Sequence, residues 1–274
     1  MNAFQPKATA NFARIVKGIG NGEVLIPLLH SYLYDATFPE DFSVNFRQHS
    51  MNRAPDGWFH PSTHPLWPAR KLWLYARDPE AAVVLPKEYM GAMSVTIGTA
   101  VHSFIQMCLD DLGVLVMHEV WEGDAWVRKP EYPYEDVALH ARGSVDGILK
   151  LTIPAYPESR QLFEFKTSNL MKLSKIKNLD LDAFIKTWPD YYAQVQEYMR
   201  LTGLRVAVVL FMAMGYPWEL REFHVPYNPA VAQDIADKYR LAMHTDMPQP
   251  CCGPGSKTAR ACEMRTVCPV GKMS

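Results

Sequence analysis

The segment QLFEFKTS, residues 161–168, places an acidic and a basic side chain two positions apart in a short apolar run. In a strand, side chains at i and i+2 point to the same face. Glu164 and Lys166 would therefore share one face, and Phe163 and Phe165 the other. An amphipathic strand with an ordinary ion pair explains this alternation by itself. A functional interpretation needs further residues on the face of Glu164 and Lys166.

A second acid lies in the preceding strand-like run, GSVDGIL at residues 143–149, where Asp146 interrupts apolar sequence. The simple alternative is an aspartate at a turn or on an edge strand. If the two runs form a hairpin, Asp146 lies near Glu164, and a buried carboxylate is costly unless it is paired or binds a metal. Two carboxylates and a lysine form the oxygen-rich kind of site that Mg²⁺ prefers. Such a site suits metal-assisted phosphodiester hydrolysis, with Lys166 holding or polarising a water.

The surrounding pattern predicts a mixed α/β core, because helical and strand-like segments alternate along the chain. Apolar residues at helical spacing predict a helix over 94–113, and a second helix is predicted over 190–203. A short helix is expected from about Pro68, and another opens at Pro229. Strands are predicted near 115–121, 126–128, 142–152, 161–167, 205–213 and 219–227.

The composition is that of an ordinary soluble globular protein, with 48% hydrophobic and 21% charged residues among 274. The net charge of −1 excludes a global basic field, so any contact with nucleic acid must use local patches. No apolar run approaches the roughly 18 residues that span a bilayer, and the N-terminus has no apolar signal-peptide core. We therefore expect a cytoplasmic protein without membrane contact.

Four of the five cysteines, Cys251, Cys252, Cys262 and Cys268, lie in the last 24 residues, among glycine and proline. In a reducing compartment such a cluster more often binds metal than forms disulfides. Thiolate sites of this type hold zinc or an iron–sulfur cluster, and free buried cysteines are the alternative. Cys108 falls within the apolar stripe of its helix and is expected in the core.

Four short motifs in order resemble the PD-(D/E)xK nuclease superfamily, in its RecB-type branch. The motifs are GTAVH (98–102), VDG (145–147), EFK (164–166) and QVQEY (194–198). That branch includes CRISPR-associated iron–sulfur exonucleases and phage recombination exonucleases. The resemblance covers roughly residues 58–270, and it implies a restriction-endonuclease-like core, a mixed central sheet flanked by helices.

The resemblance also implies roles for individual residues. The metal ligands would be His102, Asp146, Glu164 and the backbone carbonyl of Phe165, with Mg²⁺ or Mn²⁺ as the ion. Lys166 would position and activate the attacking water. Gln194 and Tyr198 would support the active site and the phosphate backbone. Glu119 occupies a strand position that is often acidic in relatives, and is a candidate for a supporting role only.

For the tail, the resemblance favours a 4Fe–4S cluster over zinc. Relatives take one cysteine from a C-P-R segment near the N-terminus, but the corresponding WPARKLW (67–73) has Trp67 at that place. Either Cys251 and Cys252 together complete the four ligands, or a histidine such as His60 or His64 does. The cluster would be structural, clamping the C-terminus onto the nuclease.

These patterns divide the chain into an N-terminal helical and loop addition (1–57), a nuclease core (58–248) and a C-terminal metal-cluster tail packed on the core (249–274). Local basic groups near the expected DNA path are Arg70, Lys71, Lys172, Lys175 and Lys177. A solvated surface is the alternative for these side chains.

The expected function is a metal-dependent DNA nuclease, an exonuclease on single strands or duplex ends. Phage DNA metabolism or recombination, with a recombination or single-strand-binding protein as partner, is suggested by the resemblance alone. The alternatives are a structure-selective or nicking endonuclease with the same site, and a catalytically degenerate module that binds nucleic acid. A zinc hydrolase is disfavoured because no H-x-E motif accompanies the cysteines.

Overall fold

The computed structural model describes residues 22–35, 55–83, 89–214, 219–244 and 246–273. The proposed N-terminal addition therefore lies largely outside the described residues. The helices are α1 (Leu25–Asp35), α2 (Ala69–Arg77), α3 (Tyr89–Asp111), α4 (Leu170–Leu173), α5 (Leu181–Thr187), α6 (Pro189–Thr202), α7 (Pro229–Met243) and α8 (Lys257–Ala261). The strands are β1 (His118–Glu122), β2 (Ala125–Lys129), β3 (Tyr132–Asp136), β4 (Ala141–Val145), β5 (Gly147–Leu149), β6 (Gln161–Asn169), β7 (Val206–Met214) and β8 (Leu220–Pro226).

The central sheet has four strands in the order β5-β6-β7-β8. Strands β5 and β6 are antiparallel, β6 and β7 are parallel, and β7 and β8 are antiparallel. The parallel step requires a crossover, which the chain makes through α4, α5 and α6. The predicted mixed α/β architecture is thus confirmed.

The alternation in β6 is the reason that this strand can sit between two layers. Phe163 and Phe165 pack on one face of the sheet with Ile105 and Leu109 of α3, and with α1. Leu162 faces the opposite layer, which contains α5 and α6 with Phe184 and Val195. Because both faces are covered, the Glu164 side of β6 is buried rather than solvated.

Helix α6, which supports the site, has clear termination signals. Pro189 occupies its first turn, where a missing N–H costs nothing. Gly203 follows its last residue in the left-handed region at φ 73°, which glycine adopts without a Cβ penalty. The predicted helix over 190–203 therefore matches the observed one within a residue at each end.

Two further pairs of strands lie beside the central sheet. Strands β1 and β2 form an antiparallel hairpin, and β3 and β4 form a second antiparallel pair. Strand β3 was not predicted, because its sequence YPYED carries a proline and two acids. Strand β4 leads directly through Asp146 into β5, so the predicted single run over 142–152 is two strands with the acid between them.

A third apolar cluster joins α2, α7 and the C-terminal residues. Tyr239 of α7 and Leu72 of α2 are fully buried in it, together with Met264 and Cys268 of the tail. The segment 249–273 is thereby packed against helices on the flank of the sheet.

Helix α1 is held to the sheet by a carboxylate from a distant part of the chain. Glu222 of β8 is fully buried and accepts hydrogen bonds from the backbone N–H groups of Val24, Leu25 and Ile26 at 2.8–2.9 Å. A carboxylate at a helix N-terminus satisfies unpaired donors and complements the helix dipole. His224 lies 2.7 Å from the same carboxylate.

Among the described residues, no helix is both long enough and apolar enough to cross a membrane.

Candidate active site

Asp146 and Glu164 meet at the junction of β4, β5 and β6. The β5–β6 register pairs Gly147 with Phe163, which brings Asp146 beside the second half of β6. The Asp146 carboxylate accepts a hydrogen bond from the backbone N–H of Phe165 at 2.9 Å. The two acids therefore lie close together, as the sequence predicted.

Glu164 is only 1% exposed and is held from two sides. Its Oε1 accepts hydrogen bonds from Lys166 Nζ at 2.5 Å and from Gln194 Nε2 at 2.8 Å. Its other oxygen, Oε2, is buried and has no hydrogen-bond partner among the described residues. A buried carboxylate oxygen without a donor is costly, and functional sites are where such costs are retained.

Burial raises the pKa of both carboxyl groups. The pKa of Glu164 rises to about 7, through burial first and the nearby Asp146 second. The pKa of Asp146 rises to about 6, where burial outweighs the opposing effect of Lys166. The two acids titrate as a pair, and a bound cation would favour their ionised forms.

Lys166 stays charged in this setting. Burial alone would lower its pKa, but the carboxylates of Glu164 and Asp146 outweigh burial and raise the pKa above its ordinary value. A permanently protonated lysine cannot accept a proton from water. It can donate hydrogen bonds to a water or a phosphate oxygen and offset their negative charge.

His102 of α3 approaches the pair from the other side. Its Nε2 lies 3.7 Å from Asp146 Oδ2, beyond hydrogen-bond distance, and has no hydrogen-bond partner among the described residues. Burial lowers the pKa of His102, which keeps the imidazole neutral and able to donate a lone pair to a cation. The ring also stacks on Phe165, with 5.8 Å between centroids.

Two site residues were missed by the sequence analysis. Gln106, one turn after His102, donates from Nε2 to the backbone carbonyl of Asp146 at 2.7 Å and to Glu131 Oε1 at 3.2 Å. The i, i+4 spacing of His102 and Gln106 was the available signal. Glu131 just before β3 supplies the extra acid, whereas Glu119 is exposed on the β1–β2 hairpin, opposite Arg128.

Tyr198 lies one helical turn from Gln194, and its ring lies beside Gly143 of β4. A Cβ at Gly143 would stand 3.0 Å from Tyr198 Cε1 and 2.9 Å from Pro61 Cδ. Only glycine allows this approach of α6 and the 55–67 loop to β4. Tyr198 also lines a cavity of about 640 Å³ that His60 and His64 share.

The predicted DNA contacts fall into two groups. Lys172, Lys175 and Lys177 are exposed just beyond the end of β6, and their contact with DNA stays a prediction. Arg70 is buried, and Lys71 forms a 2.5 Å ion pair with Glu263 while its ammonium lies over the Trp67 ring. Both belong to the packing between α2 and the tail, and the burial of Arg70 argues against its predicted contact with DNA.

The four tail cysteines, Cys251, Cys252, Cys262 and Cys268, line one small pocket. The backbone closes tightly around it, because a Cβ at Gly271 would stand 2.4 Å from the carbonyl oxygen of Arg265. Burial raises the pKa of the Cys251 and Cys262 thiols, so an ion would have to displace their protons.

The alternative that His60 or His64 completes the cysteine set is not supported. Neither histidine lines the cysteine pocket. His60 instead faces Asp56 through Nε2 at 3.0 Å, and His64 Nδ1 accepts the backbone N–H of His60 at 2.6 Å. Cys108, near the C-terminal end of α3, is fully buried in the core, as predicted.

Across the part of the chain that the structure describes, no three or more His, Cys, Asp or Glu side chains form a group that could hold a metal ion as they stand. At the acidic site, Lys166 and Gln194 occupy one oxygen of Glu164, and His102 stands back from Asp146. Small side-chain movements would be needed for these groups to converge on one ion.

Comparisons with known proteins leave the family open. The chain matches no family model and no curated protein. A solved structure described as "Crystal structure of SSO0001" is similar over 90% of this chain and 94% of that chain, with 14% sequence identity and a TM-score of 0.41.

Proposed function

We propose that the protein is a Mg²⁺- or Mn²⁺-dependent DNA nuclease that hydrolyses phosphodiester bonds. The observation that carries the proposal is the meeting of the half-buried Asp146 and Lys166 with the buried Glu164, whose Oε2 has no donor among the described residues. An oxygen-rich pair of carboxylates with a neutral imidazole beside it suits a divalent cation.

The ligand types at this site suit such an ion, although the side chains do not converge on one point as they stand. Asp146 Oδ1, Glu164 Oε2 and His102 Nε2 are the atoms that would turn toward it, with the Phe165 carbonyl as a further ligand in the family that the motifs resemble. A bound divalent cation would supply Lewis-acid polarisation of the phosphate and offset charge in the transition state.

Side chains of the protein would position the ligands and the attacking water. Gln194 fixes Glu164 through the 2.8 Å hydrogen bond, and Gln106 fixes the backbone at Asp146. Lys166 donates hydrogen bonds to the attacking water or to a non-bridging phosphate oxygen. In hydrolysis the water oxygen would bond to phosphorus and the bond from phosphorus to the leaving deoxyribose oxygen would break. One water proton would pass to solvent and the other to the leaving oxygen.

The arrangement of elements agrees with a restriction-endonuclease-like core. The antiparallel β5–β6 pair bears the acid and the E-x-K motif, and α6 then leads into the parallel strand β7. The exposed lysines beyond β6 offer phosphate contacts next to the reacting groups.

The test is a cleavage assay on end-labelled single-stranded and duplex DNA and on closed circular DNA, with Mg²⁺ or Mn²⁺. An exonuclease degrades the linear substrates to short products and leaves the closed circle intact. Cleavage of the circle would instead establish the endonuclease alternative. Folded protein that binds DNA but cleaves no substrate with either ion would support the degenerate binding module and contradict the proposal.

A further inference from the structure

Arg70 is a buried cation that has no carboxylate to neutralise it among the described residues. It is 8% exposed, and one terminal nitrogen donates to the carbonyl of Pro248 at 3.2 Å. Its Nε is buried and has no hydrogen-bond acceptor in the same set of residues. A buried charge without a counter-charge is strongly unfavourable, so such a group indicates that an anion belongs nearby.

The space beside Arg70 is the pocket lined by the four tail cysteines. Lys71 lines the same pocket, but Glu263 already neutralises it. Arg265 donates to the carbonyl of Cys262 and is only half-buried. Arg70 is therefore the cation of this pocket whose burial most requires an anionic partner.

Neutral thiols do not supply that partner, but metal-bound thiolates do. Four thiolates around Zn²⁺, or around a 4Fe–4S core in its 2+ state, leave two net negative charges on the centre. Sulfur atoms of such centres accept hydrogen bonds, and these bonds and the local charge tune affinity and reduction potential.

We propose that Arg70 is the buried counter-ion of a metal centre that Cys251, Cys252, Cys262 and Cys268 would form by closing on the metal, and that it donates Nε–H to a sulfur atom of that centre. This inference rests on the cysteine centre expected from the sequence and goes beyond it, because it assigns the retention of the metal to a residue that is not a ligand. Arg70 would then contact the metal centre and not DNA, in contrast to the prediction from the sequence.

The experiment compares wild-type protein with R70Q and R70K, all purified anaerobically. R70Q removes the charge, and R70K keeps the charge but not the planar fork of donors. R77Q is the matched control, since Arg77 lies on the same helix, contacts backbone carbonyls and is outside the cysteine pocket. Bound iron and zinc are counted per chain, and the rate of metal loss to a chelator is followed on protein whose circular dichroism shows it folded.

Loss of a residue that hydrogen-bonds to the ligands of a metal site typically lowers the affinity for the metal by about 10–100-fold. R70Q should therefore lose metal about 10–100 times faster than wild type, R70K at an intermediate rate, and R77Q at the wild-type rate. If the metal is iron–sulfur, R70Q should also have a more negative reduction potential, because reduction adds charge that Arg70 no longer offsets. If R70Q does not fold, the comparison of R70K with wild type still decides the matter.

Equal rates of metal loss in wild type, R70Q and R70K would overturn the assignment of Arg70. Wild-type protein that holds no metal would overturn it as well. Neither result bears on the catalytic proposal, because DNA cleavage by wild-type protein with added Mg²⁺ or Mn²⁺ is measured separately and depends on Asp146, Glu164 and Lys166.

Discussion

Divalent cations should stabilise the protein much more at about pH 8 than at about pH 5.5. In the cation-free protein the pKa of Glu164 is about 7 and that of Asp146 about 6. At about pH 5.5 the pair is largely protonated, while at about pH 8 both carboxyl groups are largely ionised. Because a cation binds the doubly ionised pair, its apparent affinity should be weaker by up to roughly 100-fold at the lower pH.

This difference converts into a measurable shift in melting temperature. A ligand at about 100 times its Kd stabilises by about 2.7 kcal/mol, and at about its Kd by only ~0.4 kcal/mol. With about 2–4 °C per kcal/mol for chains approaching this size, the expected rise is about 5–10 °C at the higher pH and about 1–2 °C at the lower.

The assay is thermal unfolding with and without Mn²⁺ at both pH values, for wild type, Glu164→Gln and Glu119→Gln. Glu119→Gln is the matched control, since it removes the same charge from the exposed hairpin.

The stability of the cation-free protein should also depend on pH. At pH values between the ordinary carboxyl pKa near 4 and the raised pKa values of this pair, the folded protein binds more protons than the unfolded chain. Stability should therefore fall as pH rises through about 4.5–7, and less so in Glu164→Gln.

Equal cation-induced shifts in melting temperature at both pH values would show that the cation does not bind the ionised carboxylate pair. So would a full shift in Glu164→Gln, because that variant retains the fold but not the ligand oxygen charge.

Three other changes test separate parts of the structure. Gln194→Ala removes the 2.8 Å hydrogen bond to Glu164 and should lower the cleavage rate about 10-fold or more while cation binding persists, as measured by single-turnover kinetics. Glu222→Ala leaves three backbone N–H groups at the start of α1 without an acceptor and should cost about 1–3 kcal/mol, with faster hydrogen exchange confined to α1. Glu222→Gln should recover part of that loss. Gly143→Ala forces a Cβ against Pro61 and Tyr198 and should destabilise by about 1–3 kcal/mol in denaturant unfolding, whereas Gly253→Ala, with open space around it, should not.

Local sequence patterns predicted the elements that build the candidate site. The period-2 alternation of β6 separated Phe163 and Phe165 from Glu164 and Lys166, and the structure buries the two phenylalanines against α3. The helical stripe over 94–113 and the Gly203 stop signal predicted α3 and α6. The proximity of Asp146 to Glu164 followed because a short antiparallel connection leaves few registers.

Contacts between distant segments could not be read from such patterns. Glu222 and His224 alternate with apolar residues, which predicts a solvated face of β8, yet α1 covers that face and Glu222 caps the helix from 197 positions away. Glu131 stands outside any periodic segment, so only the fold reveals that it reaches Gln106.

The surroundings of Arg70 also could not be predicted from the local sequence. Its sequence neighbourhood is basic and aromatic, which resembles a nucleic-acid contact, but the packing of α2 on the tail buries it beside the cysteines. The sign of its charge was visible in the sequence, while the partner of that charge depends on tertiary packing.

Whether Asp146, Glu164 and Lys166 hydrolyse phosphodiester bonds is tested most directly by the single-turnover cleavage rate of end-labelled single-stranded DNA in saturating Mn²⁺. Wild type and Glu119→Gln should cleave at the same rate. Glu164→Gln and Lys166→Met should each lose about 1,000-fold or more, equivalent to about 4 kcal/mol of transition-state stabilisation, while binding the DNA with unchanged affinity. Folded Glu164→Gln and Lys166→Met proteins that cleave at the wild-type rate would show that these side chains do not carry the hydrolysis.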